Sequence, residues 1–141
     1  MKQFVLRVLL FFCSTALFAQ QELSFDNGCN FLSDKTAGTY TLFEATDEAS
    51  KVVDKILSQS GITTRPFTLQ AANVDNAQAA IRQRQRYLLY SNTFIKGFSK
   101  DAKTNWAAYC VFAHEIGHHV LGHNLDETDP KIRRQMELGA D

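Results

Sequence analysis

The chain predicts an α+β fold: a small twisted sheet packed on one long helix, with an N-terminal helix before the sheet and a C-terminal helix at the end. Three observations lead there. Residues 47–59 and 104–123 carry apolar side chains at helical spacing. Between them, the short runs 67–69 and 86–90 are rich in residues that strands favour. With 141 residues, 45% hydrophobic and 21% charged, the chain has room for one core and one domain.

Taken in order, the chain opens with Lys2 and Arg7, an apolar run from Val8 to Phe18, and Ala19-Gln20-Gln21. A charged start, a short apolar run and a small residue at its end make a secretory signal peptide over 1–19, cleaved after Ala19. The run is shorter than the roughly 20 residues a membrane-crossing helix needs, and no later stretch comes closer, so no permanent membrane span is expected. The domain is then residues 20–141, exported to a periplasmic or secreted location. Cys13 leaves with the leader, and Cys29 and Cys110 remain as two thiols that an oxidising compartment could join.

Asp26-Asn27-Gly28 forms an entry segment. From Asp47 to Gln59, Val52, Val53, Ile56 and Leu57 fall on one side and Lys51, Asp54 and Lys55 on the other, an amphipathic helix closed by Gly61. Phe67-Thr68-Leu69 and Arg86-Tyr87-Leu88-Leu89-Tyr90 suit strands, with a turn at 73–76. Residues 77–86 mix helix-favouring alanine and glutamine with a position between strands, and are read as extended. A long helix capped near Thr104 runs to about His123, with Trp106, Tyr109, Ala113, Ile116 and Val120 at helical spacing and Asn124 ending it. Asp129-Pro130 then opens a last helix through Ile132, Met136 and Ala140.

Lysine plus arginine (15) balances aspartate plus glutamate (15), so no basic stripe points to nucleic acid and no acidic block to a disordered tail. The chemistry lies instead in His114-Glu115-Ile116-Gly117-His118. Two histidines four apart on a helix project from one face, the spacing at which two imidazoles grip one zinc ion. Glu115 points about 100° round the helix from His114, placed to reach a metal-activated water without being a ligand. That is a zincin-like arrangement. A chance triplet on an ordinary helix is the bland reading.

A catalytic zinc takes three protein ligands and keeps one position open. On a helix continuing to 123, His123 would face away from His114, and His119 points about 100° from His118; both read as surface or core histidines. Leu121 and Asn124 stand where a metzincin would place its glycine and third histidine. Glu137 on the last helix is the better third ligand, and Asp141, four residues on, shares its face and could accept the free N–H of a ligand histidine. Asp126, Glu127 and Asp129 in the intervening turn are weaker alternatives. A thiol from Cys29 capping the metal as a latency switch is a further option beside a plain structural cysteine.

These residues resemble gluzincin peptidases, and most of all the heat-shock membrane protease and CAAX prenyl protease superfamily. The likeness covers the latter half of the chain. It rests on Asn76-Ala77-Gln78-Ala79, the strand 86–90, the His114 to His118 motif, and Glu137-Leu138-Gly139-Ala140-Asp141. The resemblance implies that Glu137 is the third zinc ligand and Asp141 its neighbour's support. It further implies that Asn76 and Ala77 begin an edge strand whose backbone holds an extended protein or peptide substrate. The chain differs in lacking that family's membrane helices and in a short spacer, 119–136, which matches aminopeptidases of the aminopeptidase N type without their glycine-rich motif.

The expected function is zinc-dependent peptide-bond hydrolysis with Glu115 as general base. Tyr87, Tyr90, His119 and His123 are candidates for stabilising the oxyanion. A zinc-stabilised binding or scaffolding module without turnover, and the front part of a longer enzyme, are the competing readings. Nothing in the sequence sets an oligomeric state.

Overall fold

The computed structural model describes residues 20–30, 38–99 and 105–141. The expected leader with Cys13, and Thr104, lie outside the described residues. Among these residues, six strands form one curled sheet and four helices accompany it, so the fold is α+β.

The strands are β1 (Gln21–Phe25), β2 (Asn27–Asn30), β3 (Gly38–Phe43), β4 (Thr68–Ala72), β5 (Ala77–Arg82) and β6 (Gln85–Tyr90). Their order is β1-β3-β4-β6-β5-β2; only β4 and β6 run parallel. β1 and β2 are separated by Asp26 alone, yet they sit at opposite ends of that order. Both can be true only if the sheet curls until its ends meet. The closure is visible in bonds: Arg82 Nε donates to the Ser24 carbonyl at 3.1 Å, and the Asp26 N–H to the Ile81 carbonyl at 3.0 Å.

Curling gives the sheet two buried faces. Phe25, Leu42, Ala72, Ala80, Tyr87 and Leu89 pack on one, and Leu69, Ala71, Ala77, Leu88 and Tyr90 face the helices on the other. Burial on both sides explains why 87–90 is an unbroken apolar run rather than an alternating one. β5 is built of small residues, and Ala77, Ala79 and Ala80 are all fully buried.

Helix α1 (Asp47–Gln59) has the bounds its periodicity predicts. Thr46 caps it by accepting the Ala49 N–H, and Gly61 turns the chain at φ +72°. The Tyr90 hydroxyl accepts the Thr46 N–H at 2.7 Å and ties this cap to β6. Helix α2 (Asn92–Ser99) was not expected; its Thr and Gly are poor helix formers, and it is secured by burying Ile95 and resting Phe94 edge-on against Phe112. Helix α3 (Asn105–Val120) buries Ala108, Phe112 and Ile116, and α4 (Pro130–Ala140) starts where Asp129 accepts the Lys131 N–H.

The extended reading of 77–86 is correct in kind but hides a hairpin. Gln83 and Arg84 form its turn with φ of +51° and +66°, the left-handed pair of a two-residue turn that asparagine and glycine normally occupy. Asp26 holds the turn by accepting the Gln83 N–H at 2.9 Å. Replacing the pair by Asn-Gly is expected to raise stability by about 1 kcal/mol, a few degrees in Tm. An unchanged or lower melting temperature would count against this strain.

Candidate functional site

Helix α3 ends three residues earlier than expected. Gly122 adopts φ +67°, the Gly122 N–H reaches the His119 carbonyl at 3.2 Å and the His123 N–H reaches the His118 carbonyl at 3.0 Å. This is the paired bonding of a glycine-ended helix, so Gly122 rather than Asn124 stops it. The expected orientation of His123 is corrected with it. Because the chain has left the helix, His123 folds back and its Nδ1 lies 3.0 Å from His118 Nδ1.

His114 and His118 share one buried face of α3, as their spacing requires, with their Nε2 atoms 3.2 Å apart. Helix α4 crosses α3 closely enough that a Cβ on Gly117 would stand 2.6 Å from the Ala140 carbonyl oxygen. That crossing delivers the end of α4. Glu137 Oε2 lies 3.1 Å from His114 Nε2 and 3.5 Å from His118 Nε2. Asp141 Oδ1 lies 2.8 Å from His114 Nδ1, a hydrogen bond that orients the ring with Nε2 toward the other two donors. Asp126, Glu127 and Asp129 serve the turn instead: the Glu127 carboxylate accepts the Thr128 and Asp129 N–H groups.

The third element at the site comes from β2. Cys29 is buried and its thiol donates to Glu137 Oε1 at 3.1 Å. Donor atoms of Cys29, His118 and Glu137 lie within 4.8 Å of one another, and this group could hold a metal ion. Cys110 is exposed and both thiols are free, so no disulfide joins them. The charges suit a cation. Burial pushes His118 down to about 4, against the pull of Glu137, so its ring is neutral near pH 7. Burial would raise Glu137, but the Cys29 hydrogen bond and the adjacent His118 and His114 outweigh it and hold its carboxyl below the usual range. Burial, the bond to Glu137 and the nearby charge of Glu115 raise the Cys29 thiol far above its ordinary value.

Glu115 is fully buried, and its Oε2 accepts the Ala79 N–H of β5 at 2.7 Å. A main-chain bond to the small-residue strand thus fixes this carboxylate, whose charge is felt at Cys29. Asn76 and Ala77 stand at the start of β5, also buried; the Asn76 carbonyl accepts from the Ser91 N–H and its side chain from the Ala77 N–H. The expected open edge is not found, because β2 pairs along β5 from Gln78 to Ile81. No family model, curated protein or solved structure matches the chain.

Of the four candidate oxyanion donors, three are engaged elsewhere. The Tyr87 hydroxyl bonds Gln85, and the Tyr90 hydroxyl bonds Thr46, the cap of α1. His119 is buried, stacks on Phe67, donates from Nε2 to the Tyr87 carbonyl at 2.9 Å and accepts from Arg86 at Nδ1. It is a core histidine, one of the two readings that its direction on the helix left open.

These bonds leave His119 no place for a second proton, and burial lowers its pKa to about 3. The unfolded chain takes up that proton below about 6.5. Stability is therefore complete above pH 6.5 and declines as pH falls toward 3, with a slope of up to about 1.4 kcal/mol per pH unit for this group. His118 adds in the same direction. Urea unfolding in chelator from pH 8 to 4 should show this decline, and His119→Gln should flatten it; parallel curves would refute the assignment.

Cys29 and His123 are the site residues whose placement sequence reasoning missed or left open. Gly122 was the available signal for His123. For Cys29, Thr39-Tyr40-Thr41-Leu42-Phe43 marks a strand from which an N-terminal sheet could have been inferred.

Proposed function

We propose that the chain is a zinc-dependent peptidase of zincin-like architecture, acting outside the cytoplasm, with His114, His118 and Glu137 as metal ligands. One observation carries this reading. The mutual separations of the three donor atoms, 3.2, 3.1 and 3.5 Å, match the roughly 3.3 Å between neighbouring ligands of a tetrahedral ion at about 2.05 Å. The neutral His118 ring, the ionised Glu137 and the Asp141 bond to His114 supply the donor chemistry such an ion requires. The apolar leader after Lys2 and Arg7 supports export. No helix among the described residues is long and apolar enough to cross a membrane.

Bound zinc supplies Lewis acidity, polarising a peptide carbonyl and acidifying a water. The residues of the chain do the rest. Glu115, held by the Ala79 N–H, takes the proton of the attacking water and returns it to the leaving amine. His123, beside His118, is the one oxyanion candidate at the site.

Glu115→Gln tests the reading, because the amide oxygen can still accept the Ala79 N–H while the base is lost. Zinc content should be unchanged, and cleavage of a mixed peptide pool should fall about 10²–10⁴-fold. Zinc bound without any cleavage that depends on Glu115 would favour a second reading, a metal-stabilised binding module. The presence of a fourth donor, Cys29, speaks for that alternative, since structural zinc sites are closed.

A further inference from the structure

We propose that β2 is an intramolecular plug, its backbone occupying the β5 edge that an extended peptide substrate would use and its Cys29 thiolate closing the fourth position on the metal. The inference rests on the peptidase reading and adds its regulation. Two independent placements support it. In register, Asn27 to Asn30 lie antiparallel to Ile81 to Gln78, and Cys29 stands opposite Ala79, the residue whose N–H holds Glu115. In side-chain position, Cys29 Sγ is 3.1 Å from Glu137 Oε1 and within 4.8 Å of the His118 donor. Main chain and thiol therefore meet the same point of the site from one four-residue strand.

With β2 in place, the space that Cys29 and Glu137 line among the described residues is small. The space among Gly28, Cys29, Asn124, Arg133, Met136 and Glu137 is about 10 Å³, the room of a single water. A larger groove of about 410 Å³ runs along α4 and reaches Glu137 and Asp141, but neither histidine nor Glu115 lines it. β2 is also built to leave. It is the last strand of the sheet order, is paired to β5 alone and contains Gly28. On binding the metal, Cys29 would release to water the proton it now shares with Glu137; on opening, the thiolate would leave the metal, take a proton back from water as it withdraws with its strand, and free the fourth position for water.

The test loads cobalt(II) into the mature protein and into Cys29→Ser, both carrying Cys110→Ser so that one thiol reports. The proposal expects one cobalt per chain in each, a near-ultraviolet thiolate-to-cobalt band that only the Cys29 protein shows, and cleavage of the peptide pool at least about tenfold faster by zinc-loaded Cys29→Ser. Cys29→Ala, which lacks any donor, should behave as the serine variant does. Cobalt uptake without a thiolate band, or a thiolate band with measurable cleavage that is no faster in either variant, overturns the plug while leaving the metal site standing; a thiolate band with no cleavage by any of the proteins overturns the peptidase reading, and the plug with it. Failure of all proteins to bind cobalt overturns the metal site, and the plug with it.

Discussion

Glu137→Ala is expected to abolish stoichiometric zinc binding. Removing a partner that merely orients a ligand costs about 10–100-fold in metal affinity, and removing a ligand costs more. Asp141→Asn, which weakens the acceptor of His114 Nδ1 without touching the three-donor cluster, should therefore fall in that milder range. Chelator competition gives the affinities. A second readout is thermal: zinc should raise the Tm of the parent chain by mass action and leave that of Glu137→Ala unmoved. Because Glu137 is only half-buried, the two metal-free proteins should melt within a few degrees of each other. Equal zinc affinity in Glu137→Ala would transfer the third-ligand role to another residue, with Cys29 the first candidate.

Gly117→Ala should damage both the fold and the site. The added Cβ meets the Ala140 carbonyl oxygen at 2.6 Å and the Ala140 Cα at 2.9 Å, so backbone must give way. Overpacking of this kind costs about 1–3 kcal/mol, and the better helix propensity of alanine offsets about 1 kcal/mol of it. The displacement falls on the turn of α4 that carries Glu137 and Asp141, so zinc affinity should drop although none of the proposed ligands has changed. Gly139→Ala is the matched control: its Cβ would lie 3.7 Å from the His123 ring, an ordinary contact, and the change should stabilise α4. Urea unfolding of both variants in chelator, followed by zinc competition, checks the contrast. A Gly117→Ala protein as stable and as zinc-avid as its parent would show that the α3–α4 crossing does not position the site.

Elements with strong local signals were legible in the sequence. Helix α1 has a cap, an apolar stripe and a closing glycine; α4 has an aspartate cap followed by proline; β6 is an apolar run too short for a helix. Elements secured by distant contacts were not. Helix α2 depends on Ile95 and Phe94 finding the core, and the Gln83–Arg84 turn lacks both turn-favouring residues and leans on Asp26 from another strand. β1 was missed because its burial is slight until the sheet curls, and β2 because four residues carry no usable period.

The site divides along the same line. His114, Glu115 and His118 are related by the pitch of one helix, a local geometry that spacing alone determines, and the Asp129-Pro130 start sets where Glu137 and Asp141 fall along the next. What brings α4 onto α3, returns His123 to His118, and seats Cys29 against Glu137 was decided by the tertiary structure. The first depends on a glycine allowing two backbones to touch, the second on a left-handed turn at Gly122, and the third on a sheet whose ends must meet because one residue separates β1 from β2. Each is a contact between segments far apart in the chain or a reversal of its direction, and helical periodicity carries no information about either.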